Sequence, residues 1–245
     1  MRLAQYISLT GHCSRRAATR LIRDGRVTIA GRIANHIDQI NLSSTTQELQ
    51  PSAALNIMVD GLPLGPIETK QYWMLHKKVG TDCRLLAHDP TSLIHLLPQQ
   101  PRLYPVGRLD KDSRGLLLLT NDGALTQSLM HPDFHHRKYY QVQVARAFDD
   151  TFLQQMAAGV SYKDVTTLPC KMTRLSADRF EIVLTQGLNR QIRRMSQALG
   201  FKVIDLKRIA IESLQLGNLT EGEMRPLTCA EKFSLKGLTK HQMTK

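Results

Sequence analysis

The 245-residue sequence has no Cys-x-x-Cys pair, and its four cysteines, Cys13, Cys83, Cys170 and Cys229, stand far apart. Zinc sites and disulfide frameworks need clustered or regularly spaced cysteines, so neither organises this chain. Idle thiols in a reducing compartment are the simpler reading. Long apolar runs are also lacking. The longest purely aliphatic run is Leu116–Leu119, far short of the roughly 20 residues that span a bilayer. The opening Met1-Arg-Leu-Ala-Gln-Tyr6 has no apolar signal-peptide core. A soluble, cytoplasmic protein without a membrane partner is expected. Neither a P-loop nor a Gly-x-Gly-x-x-Gly loop occurs, so no nucleotide cofactor is implied. His131, His135 and His136 lie close together in sequence, but no cysteine or carboxylate cluster accompanies them, so no metal is expected either. There is no internal repeat.

Acidic residues are scarce. Thirty-three Lys+Arg face 21 Asp+Glu, a net charge of +12. Such an excess points to a polyanionic partner, usually nucleic acid, although a merely soluble basic protein fits the charge as well.

Residues 2–8 read as a short helix with Leu3, Tyr6 and Ile7 on one face. Thr10-Gly11 breaks it, Ser14 caps a second helix over Arg15–Asp24, and Gly25 ends that one. Arg26–Ala30 alternates like a strand and Gly31 turns it. Arg15, Arg16, Arg20, Arg23 and Arg26 gather on this small unit, as a solvated face or as a phosphate-binding one. Residues 41–54 look like a loop insertion, Asn56–Gly61 like a last strand and turn, and Pro63, Gly65 and Pro66 like a linker. Beyond it, Tyr72–His76, 139–146, Arg179–Thr185 and Phe201–Ile211 read as strands. Helices are expected from Asp149-Asp150 to Ala158 and from Asn189 or Arg190 to Gly200. Strands and helices interleave without regular βα units, so an α+β fold is expected. Leu235–Lys245 looks polar, basic and loose.

Three segments can carry chemistry. The first is Gly107-Arg-Leu-Asp-Lys-Asp-Ser-Arg-Gly115, leading into Leu116–Leu119. Asp110 sits there among Arg108, Lys111 and Arg114, as an ionised nucleophile or base or as part of a polar turn. The second is Lys138-Tyr139-Tyr140, where Tyr140 shares a strand face with Val142 and Val144, as a core aromatic or a stacking platform. The third is Asn189-Arg-Gln-Ile-Arg-Arg-Met195, a basic amphipathic helix by spacing alone.

The N-terminal stretches Arg2–Ile7, Cys13–Ile22 and Gly25–Gly31 resemble the S4 RNA-binding domain. Gly-Arg-Leu-Asp followed by Ser-x-Gly-Leu-Leu-Leu-Leu-Thr-Asn-Asp-Gly resembles the aspartate motif of RsuA-type pseudouridine synthases, which carry an N-terminal S4 domain too. The Lys-Asp-Ser variant and Gln186–Met195 are most similar to the branch acting on the large ribosomal subunit. The resemblance covers about residues 1–235 and implies a mixed, mostly antiparallel catalytic sheet. It implies an S4-like domain over 1–66, a catalytic domain over 67–236 and a basic tail over 237–245. It further implies a cofactor-free isomerase acting on structured RNA, ribosomal or transfer RNA, as a monomer. Asp110 is then the catalytic carboxylate, Tyr140 the base-stacking aromatic and Arg193 the ion-pair partner of Asp110. Arg2, Arg15, Arg16, Arg20, Arg108, Lys138, Arg190 and Arg194 would contact RNA. One departure stands out: His76-Lys-Lys-Val-Gly80 replaces Asn-Lys-Pro-x-Gly. Lys78 at the proline position is expected to loosen the turn that ends the strand. A non-catalytic S4 escort protein is the alternative. An S4 methyltransferase would need a Gly-rich cofactor loop that is lacking.

Overall fold

In the computed structural model the chain is described over residues 1–40 and 56–240. The insertion read at 41–54 and the last five residues of the tail lie outside this range. The chain forms two compact units, one of Met1–Gln71 with Leu97–Leu103, the other of Tyr72–Leu96 with Tyr104–Lys245.

The first unit begins with helices α1 (Leu3–Leu9) and α2 (Arg15–Arg23). Leu3, Tyr6 and Ile7 are buried together with Ala18 and Ile22, as helical spacing predicts. Ser14 Oγ accepts the Ala17 N–H at 3.2 Å, which satisfies one of the orphan donors at the start of α2. A sheet in the order β2-β1-β3-β4 completes the unit, with β1 Val27–Ile29, β2 Arg32–Ile33, β3 Ile57–Val59 and β4 Leu62–Pro63. Pro63, expected in a linker, pairs with Met58 instead. An edge strand tolerates proline because its outer side needs no N–H donor.

The second unit contains β5 (Tyr72–Lys77), β6 (Tyr104–Pro105), β7 (Arg114–Thr120), α3 (Gly123–Met130), β8 (Lys138–Val144) and α4 (Asp150–Ala158). There follow β9 (Ser161–Tyr162), β10 (Val165–Thr166), β11 (Lys171–Arg174), β12 (Arg179–Leu184), α5 (Gln191–Ala198) and β13 (Val203–Ile211). β14 (Leu214–Gln215), β15 (Met224–Pro226) and α6 (Cys229–Lys240) close the described chain. The main sheet runs β11-β12-β8-β13-β7-β5-β15, with β6 and β14 attached to β7 and β13. Its pairs are antiparallel except β13 with β7. The fold is thus α+β with a mixed, mostly antiparallel sheet.

Both faces of the sheet are covered. Leu116 and Leu118 pack with Leu125 and Leu129 of α3 and Leu235 of α6. Val142, Ile182 and Leu206 pack with Phe152 and Met156 of α4 and Ile192 and Met195 of α5. Leu116 to Leu119 are all fully buried, each stabilising the fold by roughly 1.5–3 kcal/mol relative to exposure. The helix α6 corrects the expectation of a loose end from Leu235. That leucine is only 1% exposed, and Arg225 pairs with Glu231 at 2.7 Å to anchor the first turn of the helix.

Candidate active site

Asp110 lies in the loop between β6 and β7, just before the place where β7 and β13 run parallel, with Gly115 opposite Arg208. Gly115 adopts φ +111°, and a Cβ there would overlap the Arg208 backbone, so only glycine lets the two strands approach this closely. The Ser113 N–H donates to the Asp110 carbonyl at 3.0 Å and closes a turn. The polar turn expected here is therefore present, with Asp110 as its first residue.

Two groups hold this loop. The first is Lys77 at the end of β5, which is fully buried. Its Nζ donates to the carbonyls of Ser113 at 2.6 Å, Lys78 at 2.9 Å and Lys111 at 3.4 Å. Burial pushes its pKa down, while Cys83, Asp112 and Asp110 oppose that shift. The Gly80 N–H adds a 2.7 Å bond to the Lys111 carbonyl. The strand end carrying Lys78 in place of proline is therefore tied to the loop by hydrogen bonds.

The second is the start of α5. Arg190 has left-handed backbone, φ +52°, uncommon for a non-glycine residue and a feature that often marks functional turns. It forks onto the Asp112 carboxylate at 3.0 and 2.7 Å. Arg193 donates to the Asp112 carbonyl at 2.7 Å and to the Val203 carbonyl at 3.1 Å, and its Nε lies 3.4 Å from Asp112 Oδ2. Arg190 first, then Arg193, holds the Asp112 carboxyl below the usual carboxylate range. Burial in turn lowers the Arg193 pKa. Arg193 was expected to pair with Asp110; the ion pair it makes is with Asp112, two residues along the loop. Arg114, also expected beside Asp110, forks onto Asp205 at 2.8 and 2.7 Å. The Asp110 carboxylate makes no ion pair among the described residues.

A cavity of about 750 Å³ opens in front of this loop. Asp110, Arg108, Lys138, Tyr140, Arg190 and Arg208 all line it. Tyr140 is half-buried on β8, packed against the α4–α5 side of the core. Lys138 Nζ donates to the His136 carbonyl at 3.1 Å, and burial, reinforced by the neighbouring Arg208, lowers its pKa. Arg193 and Arg194 do not line the cavity. Arg194 instead donates to Asn189 Oδ1 at 2.7 Å. Arg2, Arg15, Arg16 and Arg20 belong to the first unit, where all four are exposed. Arg23 and Arg26 of that cluster pair with Asp24 and Asp60.

Sequence reasoning missed Lys77, Asp112 and Arg208 as site residues. A lysine or arginine within a strand reads as a solvent-facing position, yet Lys77 and Arg208 are 0% and 3% exposed. The signal available for Lys77 was its place at the end of an apolar run whose neighbours Met74, Leu75 and His76 are all buried.

A loop-borne carboxylate, a tyrosine ring and several cationic side chains thus line one cavity of an α+β fold. Residues 71–198 match the family described as RNA pseudouridylate synthase, and residues 1–40 match the S4 domain. The chain is 35% identical to the dual-specificity RNA pseudouridine synthase RluF of Escherichia coli K12, over 96% of this chain and 78% of that protein. It is 34% identical to ribosomal large subunit pseudouridine synthase B of Bacillus subtilis, over 98% and 97% of the two chains. A crystal structure of a pseudouridylate synthase superposes with a TM-score of 0.67 at 30% identity, covering 97% of this chain and 99% of that one. The protein belongs to the RNA pseudouridine synthase family, and is an isomerase carrying an S4 domain.

Proposed function

We propose that this enzyme converts a uridine of large-subunit ribosomal RNA to pseudouridine in the cavity containing Asp110. The observation that carries this is convergence. Asp110, Lys138 with Tyr140, and Arg190 come from three separated sequence segments and line a single cavity. The relatives named above are RNA pseudouridine synthases, one of them named for the large ribosomal subunit.

In this account the target uridine leaves its stack and lies on the Tyr140 ring, which replaces the lost neighbours. Asp110, without an ion pair among the described residues, initiates cleavage of the C1′–N1 bond. Arg193 acts as a positioning residue: it fixes the backbone at Asp112–Ser113 and so aims Asp110. Arg108 receives a flanking phosphate, for which a planar guanidinium fork is suited, while Arg190 keeps its own fork on Asp112 and holds the loop. Arg2, Arg15, Arg16 and Arg20 add affinity for structured RNA. The S4-like domain is taken as 1–66 and the catalytic domain as 67–236, in a cytoplasmic monomer.

The test compares wild type with Asp110→Asn on ribosomal RNA from cells lacking the protein, read by pseudouridine-specific chemical mapping. Transfer RNA serves as a second substrate pool, because one relative is named dual-specificity. Wild type should introduce one new signal in large-subunit RNA and Asp110→Asn none. If neither protein modifies either pool, the assignment falls and the escort alternative stands.

A further inference from the structure

Arg208 on β13 is 3% exposed and lines the cavity. Its Nε donates to the Leu116 carbonyl at 2.8 Å, which fixes the guanidinium plane. Its Nη2 is buried and has no hydrogen-bond partner among the described residues. Arg208 makes no ion pair among the described residues. A buried donor left without an acceptor is costly, and one whose side chain lines a cavity is placed to be satisfied by what enters it.

The strand is built to place it. β13 is irregular between Arg208 and Ala210, which face Tyr140 and Tyr139 on β8. Residues two apart on β13 thus oppose adjacent residues on β8, the signature of a bulge at Ile209. Bulges re-aim side chains and recur beside active sites. Because Arg208 and Tyr140 are directly paired, their side chains share one face of the sheet. Lys138 lies close enough for Arg208 to lower its pKa. Lys138 and Arg208 both line the cavity beside the Tyr140 ring.

We infer that Arg208 donates a hydrogen bond to a carbonyl oxygen of the target uracil and stabilises the ring's charge as the glycosidic bond breaks, an inference that rests on the uridine site proposed above. A base lying on Tyr140 brings its edge to Arg208. A backbone phosphate, bulky and hydrated, suits the exposed Arg108 instead. When the C1′–N1 bond breaks, its electron pair stays with the ring and spreads over N1, O2 and O4. The ring turns, C5 bonds to C1′, the C5 proton leaves and N1 gains a proton. No co-reactant is consumed. A fixed donor at O2 or O4 strengthens as that charge develops, the logic of an oxyanion hole.

The experiment uses the intact protein and a synthetic RNA that wild type converts, prepared also with a single 2-thio or 4-thio substitution at the target uridine. Single-turnover rate and RNA affinity are measured for wild type, Arg208→Gln and Arg208→Lys. Arg208→Gln should slow conversion about 100-fold, the scale of losing one oxyanion donor, with affinity within about twofold. Thio substitution at the contacted oxygen should slow wild type and have no further effect on Arg208→Gln. Unchanged rate in a folded Arg208→Gln, or a loss confined to affinity as a phosphate contact would give, overturns the inference. So does a wild-type enzyme indifferent to both thio substitutions, a result that needs no variant to fold. Wild type that converts no RNA removes the uridine site itself and this inference with it. Conversion by wild type with any of the preceding results removes only the role of Arg208.

Discussion

Arg15, Arg16 and Arg20 on α2 are exposed and make no ion pair among the described residues. Arg190, Arg193 and Arg208, around the cavity, are each fixed by at least one hydrogen bond of 3.0 Å or less. The same side chain thus serves two purposes. Free guanidinium groups on a surface attract phosphate over a range set by salt, and they tolerate many RNA geometries. Pinned ones hold a loop or a donor in place, and they gain their value by not moving. RNA affinity should therefore be separable from chemistry by substituting one set or the other.

Four variants sharpen that contrast. Lys77→Met should have the largest effect on stability, a loss of about 3 kcal/mol by urea unfolding, since three carbonyls, that of Ser113 buried, lose their shared donor. Gly115→Ala should cost about 1–3 kcal/mol, because its φ of +111° and the Arg208 backbone leave a Cβ no room. Asp112→Asn should slow conversion about tenfold while changing RNA affinity little, since it releases Arg190 and loosens Arg193.

The same substitution carries a pH signature. The folded pKa of Asp112 lies below the ordinary carboxylate value, because of Arg190 first. Its contribution to stability is therefore present above the unfolded pKa, near about 4, and is lost as pH falls through the folded value. The difference in unfolding midpoint between wild type and Asp112→Asn should be constant from neutral pH down to about 5 and shrink below about 4. It should also be small, since the carboxylate is 44% exposed and solvent screens the pair. Replacing Arg15, Arg16 and Arg20 by glutamine together should leave stability nearly unchanged. It should reduce the slope of log affinity against log salt by about 2–3, if each arginine meets one phosphate.

The uneven legibility of the chain has a physical basis. Ser14, Gly25, Asp149 and Gly159 act locally, and their signals survive in sequence because a cap or a left-handed turn depends on one or two residues. The six- to nine-residue strands alternate or run apolar, so β5, β7, β8, β12 and β13 were readable. β2, β4, β9, β10 and β14 have two residues each, too few for any period to register. At the site, Asp110 and Tyr140 were placed by motif. The clasp made by Lys77, Asp112 and Arg190 was not, because it joins residues 34 and 78 positions apart. The resemblance paired Arg193 with Asp110, whereas its ion pair is with Asp112; the two aspartates lie two positions apart on one loop, too close for sequence spacing to separate. Arg208 depends on a bulge that only strand pairing reveals.

The most direct measurement is single-turnover pseudouridine formation at saturating enzyme for Asp110→Asn beside the Arg15/Arg16/Arg20 triple glutamine variant. Asp110→Asn should bind RNA as wild type does and convert none of it, a loss of at least about 1000-fold, the scale of removing a central catalytic group. The triple variant should need more enzyme to saturate and then convert at the wild-type rate. Conversion by Asp110→Asn, or a triple variant still slow at saturation, would contradict the division between the cavity that does the chemistry and the surface that binds.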